Sequence, residues 1–194
     1  MVGTSQIRNR ATLAGNICNA SPAADTAPPL LVYEAVVVAR GPAGTRRVRI
    51  ADFCTGPGRT ALTPGELVSS IEVPVPGRRS GSAFARLTRR RGADLATVSV
   101  SALVEASGVT RLGYGAVGPR PLLVTDDSGV LADPGADRAE KVSTLSRLAA
   151  AATPISDVRG SREYRTSMLL VLSQRVLATA ISRGAERAEE PEEG

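Results

Sequence analysis

The stretch Gln6-Ile7-Arg8-Asn9-Arg10-Ala11-Thr12-Leu13-Ala14-Gly15-Asn16-Ile17, continuing to Ala20-Ser21-Pro22-Ala23-Ala24-Asp25, is the most informative part of the chain. Thr12, Gly15, Asn16, Asn19 and Ser21 crowd small residues and short hydroxyl or amide donors into a few turns, where backbone N–H groups can approach an anion closely. A diphosphate needs that arrangement. Asp25 would repel a phosphate, but its carboxylate can accept hydrogen bonds from a polyol such as a ribityl or ribose chain. Spacing alone leaves a second reading open, since small polar residues between prolines also describe a plain surface loop.

Outward from this stretch, the first thirty residues read as irregular, broken by Pro22, Pro28 and Pro29. Residues 30–33 suggest a short helix. Residues 35–40 and 46–50 are β-branched runs around Gly41-Pro42-Ala43-Gly44 and predict a hairpin. Residues 52–60 read as a loop, 66–73 as a strand stopped by Pro74 and Pro76, and 77–81 as an interdomain linker. The pattern then becomes antiparallel β at 82–87, 97–105 and 111–117, with Ala106-Ser107-Gly108 as a turn, for a sheet of three or four strands. Helices are predicted over 138–151 and 162–182, the second with Ser161 as N-cap and Tyr164, Met168, Leu172 and Val176 on one face. Strands followed by helices argue an α+β fold.

Composition narrows the chemistry. The 194 residues are 42% hydrophobic and 22% charged, as expected of a folded globular chain that buries roughly 70% of its unfolded surface without staples. There is no His, which removes Ser-His-Asp and Cys-His catalysis and the usual zinc ligand sets, and two cysteines cannot hold an iron–sulfur cluster. Any enzyme chemistry falls to a cofactor or to carboxylates. The net charge of +5 is almost wholly Arg, since Lys141 is the only lysine, with clusters at Arg46-Arg47, Arg78-Arg79 and Arg89-Arg90-Arg91. A nucleic-acid surface is one reading, but with aromatics at 3% there is little to stack bases on, and no nucleic-acid partner is expected. Asp157, Arg159 and Tyr164 read as a structural clasp, and Cys18 as an apolar filler. No apolar run is long enough to span a membrane and no secretory leader is evident, so a cytoplasmic protein with reduced thiols is expected.

Taken together, the motifs resemble the FAD-binding, or medium, subunit of molybdenum hydroxylases, the xanthine dehydrogenase, carbon monoxide dehydrogenase and aldehyde oxidase group. The resemblance runs from Gln6 to about Ile181. Beyond the opening stretch it rests on Leu62-Thr63-Pro64-Gly65-Glu66-Leu67, Ile71-Glu72-Val73-Pro74, Arg89-Arg90 with Asp94-Leu95-Ala96, and Pro154-Ile155-Ser156-Asp157 with Arg159-Gly160-Ser161 and Tyr164-Arg165. It implies part of an FAD-binding region over 1–76, an α+β domain over 82–184 with a sheet covered by helices, and then an acidic tail over 185–194. It also implies that Thr12, Gly15, Asn16, Asn19 and Asp25 line the diphosphate and ribityl part of FAD. Val68 would lie near the flavin or adenine, and Arg86 would stand where the family usually has a Lys approaching the isoalloxazine.

Three departures accompany the resemblance. Ala14 replaces the first Gly of a Gly-Gly pair, and Arg86 replaces Lys, keeping charge but changing donor geometry. The N-terminal FAD subdomain, with its second phosphate loop, has no counterpart ahead of Gln6, which implies a truncated or split subunit. The expected partners are molybdenum-cofactor and iron–sulfur subunits, or a second copy. The alternative is a flavin-free descendant that binds a small-molecule substrate, a cyclase or isomerase using Asp25 and Glu66 as acid/base groups with Arg86 as their electrostatic partner.

Overall fold

The computed structural model describes residues 2–90 and 93–189. The opening segment is helical where an irregular chain was expected. Helices α1 (Ser5–Arg8) and α2 (Leu13–Cys18) are short and capped by Thr4 and Thr12, whose hydroxyls accept from Ile7 N (3.3 Å) and Gly15 N (2.9 Å). Helix α3 (Ala27–Val32) contains Pro28 and Pro29, which do not break it because they sit in its first turn, where the N–H groups have no intrahelical acceptor.

The predicted hairpin is β1 (Val36–Gly41) and β2 (Gly44–Arg49), with Gly44 at φ 111° closing the turn. Residues 52–60, read as a loop, and Ile50, read as the end of a strand, instead enter a one-turn helix α4 (Ile50–Phe53) that buries Ile50 and Phe53, then the small ribbon β3 (Cys54–Gly56) and β4 (Arg59–Thr60). Strand β5 (Leu67–Glu72) completes a three-stranded sheet of order β2-β1-β5. A bulge skips Ser69, so that Val38 pairs with Ser70 and Ala39 with Val68, and the Ser69 hydroxyl donates to Val38 O (3.1 Å). The extra residue lets both Val68 and Ile71 pack on the N-terminal core.

The second sheet is an antiparallel meander, β6 (Gly81–Leu87), β7 (Val98–Val104), β8 (Thr110–Gly115) and β9 (Leu122–Asp126). Helices α5 (Arg138–Ala149) and α6 (Arg162–Glu189) follow, α6 running beyond the predicted end at 182. Ser161 caps α6 as expected, accepting from Tyr164 N (3.2 Å). On one face Val98, Val100 and Ala102 join Leu169, Leu172, Val176 and Leu177 in the C-terminal core. Strand β7 is nevertheless buried at every position, because α3 covers the opposite face. The register pairs Ser99 with Gly115 and Ser101 with Gly113, making a floor of small residues. A methyl on Gly113 would collide with the Pro28 carbonyl. Small side chains therefore let the N-terminal segment dock, backbone to backbone, on the C-terminal sheet.

Candidate functional site

Docking α3 on the sheet brings the Ser21–Asp25 segment to β6. The Asp25 carboxylate forms an ion pair with Arg86 Nη1, with side-chain exposures of 11% and 16%. Close by, the Tyr33 hydroxyl meets Ser82 Oγ at 2.7 Å across the same seam. Asp25 Oδ1 is buried without a hydrogen-bond partner. Burial raises the Asp25 carboxyl above its ordinary range, and the opposing attraction of Arg86 does not cancel that rise. This site thus holds a carboxylate short of one donor.

The other motif residues lie on the adjoining surface. Thr12, Gly15 and Asn19 are exposed and Asn16 is half-buried. Thr26 Oγ1 donates to Asn16 Oδ1 at 2.5 Å, which leaves the Asn16 amide N–H groups to face outward needs. The Gly15 N–H is not free for an anion, because Thr12 Oγ1 accepts it; a Cβ on Gly15 would press on that same oxygen at 3.0 Å. Asn19 ends α2, its N–H bonding back to Gly15 O. Val68 packs on the N-terminal core, which accounts for an apolar residue there without a ligand. Arg86 is bound to Asp25, the partnership that the flavin-free alternative expects of it, but not to Glu66.

Glu66 does not join Asp25, so the acid/base constellation of the flavin-free alternative is not formed. Arg46 grips it side-on, Nε to Oε1 and Nη2 to Oε2 both at 2.7 Å, and Thr63 N donates to Oε2 at 2.7 Å. The Arg46 hydrogen bonds, followed by the Thr63 N–H, hold the Glu66 carboxyl down to about 2, so it cannot donate a proton near neutrality. The sign follows: a depressed carboxyl adds stability that is complete above its unfolded value near 4.5 and is lost as pH falls toward 2. Urea midpoints of the parent chain are therefore expected to fall more steeply between pH 4.5 and 2 than those of Glu66→Gln. Parallel pH profiles would refute this.

The arginine clusters are largely spoken for. Arg47 pairs with Glu72, Arg49 with Asp52, Arg89 with Asp94, and Arg111 with Glu34 and Glu105. Arg91 lies outside the described residues. On the C-terminal side Asp157 does clasp the start of α6, but through buried Arg165 (Nη2 to Oδ1, 2.7 Å) and Arg159 (3.2 Å), while Tyr164 is exposed. No helix among the described residues is long and apolar enough to cross a membrane.

Fold and motif together define a flavoprotein-type subunit, and comparison with known proteins agrees. Residues 1–76 match the family described as FAD binding domain in molybdopterin dehydrogenase, and residues 82–180 match the CO dehydrogenase flavoprotein C-terminal domain. The chain belongs to the family of FAD-binding medium subunits of molybdenum hydroxylases. It is similar to the carbon monoxide dehydrogenase medium chain of Afipia carboxidovorans, at 32% identity over 94% of this chain and 65% of the relative. It is also similar to the putative xanthine dehydrogenase FAD-binding subunit XdhB of Escherichia coli, at 30% over 91% of this chain and 62% of the relative. Among solved structures, reconstituted CO dehydrogenase from Oligotropha carboxidovorans superposes with a TM-score of 0.85 at 32% identity, covering 94% of this chain and 65% of the other. The chain thus spans somewhat under two thirds of the length of these relatives.

Proposed function

We propose that this chain supplies the ribityl and diphosphate side of an FAD site in a molybdenum hydroxylase, and that it works with molybdenum-cofactor and iron–sulfur subunits. The observation that carries the proposal is Asp25 Oδ1, a buried acceptor with no donor, beside a segment that exposes Thr12, Gly15 and Asn19. A carboxylate in that state suits a hydroxyl-bearing chain, whose O–H would satisfy it. Arg86 keeps Asp25 oriented and supplies the positive charge of the seam. Thr12 Oγ1 retains its own hydrogen after accepting from Gly15 N, and Asn16 retains its amide N–H groups; these two side chains, rather than the Gly15 backbone, are the donors available to a diphosphate. Bound FAD would accept electrons from the partner subunits and pass them on to an acceptor.

The test is titration of the purified protein with FAD, following the quench of flavin fluorescence and the flavin absorption that survives gel filtration. Binding is expected, and Asp25→Ala should weaken it by roughly ten- to a hundredfold, since a hydrogen bond to a charged group is worth about 1.5–3 kcal/mol. Circular dichroism of the variant separates this from unfolding. A folded parent chain that stays colourless at saturating FAD, alone and with its partner subunits, would overturn the proposal.

A further inference from the structure

A cleft of about 360 Å³ opens between the Ser21–Ala23 turn, the segment before β7 and the loop that leads into α6. Pro22, Leu95 and Ile155 give it apolar walls, and Asp157, Arg159 and Arg165 give it charge. Its size is that of small-molecule sites.

Its charges do not balance. Both Asp157 oxygens are occupied, Oδ1 by Arg159 N (2.8 Å) and Arg165 Nη2 (2.7 Å), Oδ2 by Arg159 Nη1 (3.2 Å). Two guanidinium groups thus share one carboxylate, leaving a charge of plus one in the wall. The Nε–H groups of both Arg159 and Arg165 are buried with no acceptor, and Arg165 is 4% exposed at its side chain. In the Arg159 guanidinium only Nη1 is engaged, so Nε and Nη2 have no acceptor, with Nε enclosed as the side chain stands. That is the side with which Arg46 grips Glu66 in this same chain. The Arg159 side chain is 31% exposed, and a change of rotamer would present this fork to the cleft.

We infer that the cleft binds a small organic carboxylate with a flat apolar body, its carboxylate taken side-on by Arg159 and its body laid against Pro22, Leu95 and Ile155. Apolar walls select the body and the unbalanced guanidinium selects the charge. The site shares the Ser21–Ala23 turn with the Asp25 seam but uses neither Asp25 nor Arg86.

Calorimetric titration of the full chain with benzoate tests it. Saturable binding is expected, with benzamide, acetate and inorganic sulfate each at least tenfold weaker, because each lacks the charge, the ring or the planar fork partner. Arg159→Gln should weaken benzoate tenfold or more. Ile155→Glu, at a residue 61% exposed, should do the same without disturbing the fold. No binding of benzoate, benzamide binding as well as benzoate, sulfate matching it as an adventitious ion only, or an unchanged affinity in Ile155→Glu would each overturn the inference.

Discussion

Replacing Arg165 by methionine is expected to destabilise the protein by about 3–5 kcal/mol, the range for breaking a buried ion pair by removing one partner. That is a large share of a stability of typically about 5–15 kcal/mol. Arg165 is enclosed at the head of α6 and reaches three separate segments. Its Nη1 donates to the carbonyls of Thr97, just before β7, and of Ala116 (3.0 Å), just after β8; its Nη2 holds Asp157 in the preceding loop. Ala116 is held at φ 62°, a conformation that costs an L-residue roughly 1–2 kcal/mol and persists here because its N–H and carbonyl are both bonded. Methionine fills similar space but leaves the two carbonyls without this donor and the Asp157 carboxylate held by Arg159 alone. Lysine should restore only part of the loss, since a point charge cannot serve three acceptors in one plane. Urea unfolding monitored by circular dichroism measures all three proteins. A methionine variant within 1 kcal/mol of the parent would refute this account.

The second large effect is expected at Gly81. Helix α6 crosses β6 so closely that a methyl on Gly81 would overlap the Ala180 carbonyl and the Gly184 amide, and would stand 2.9 Å from Gly184 Cα. All three are backbone atoms, so no side chain can step aside, and the helix itself must move away from the sheet. Gly81→Ala should therefore cost about 3 kcal/mol, the upper part of the range for overpacking. Gly56→Ala is the control: a methyl there meets nothing within 4 Å, and the backbone is not left-handed. It should be neutral or gain about 0.4–1 kcal/mol by restricting the unfolded chain. Equal melting temperatures for the two variants would show that close helix–sheet contact is not what requires Gly81.

Much of this architecture can be read directly from the residues, for identifiable reasons. The meander announces itself through alternation at Val98, Val100 and Ala102 and the Ala106-Ser107-Gly108 turn, and α6 through the spacing of Met168, Leu172 and Val176. Local pattern encodes these elements. Helix α2 and the start of α3, whose second half falls on the short helix expected at 30–33, were hidden because they depend on a Thr cap and on where the prolines fall within the first turn, not on periodicity. Strand β9 is short, and it escaped for want of a marked alternation. At the site, Asp25 and Arg86 can each be named from the motif and set together only as one arm of an expected triad; that Arg86 pairs with Asp25 alone, across 61 residues, is decided when α3 docks. The same holds for Arg165: Tyr164 and Arg165 stand side by side in the sequence, and only the packing decides that the arginine is the one enclosed.

The floor of Ser99, Ser101, Gly113 and Gly115 has a mechanical consequence. Where two parts of a protein meet through long side chains, they can slide by exchanging rotamers. Here the Pro28 backbone rests on bare strand, with the Asp25–Arg86 and Tyr33–Ser82 contacts as rivets at its flank. Such a joint has no slack to take up, so the opening helices and the sheet beneath them are built to shift as a single piece.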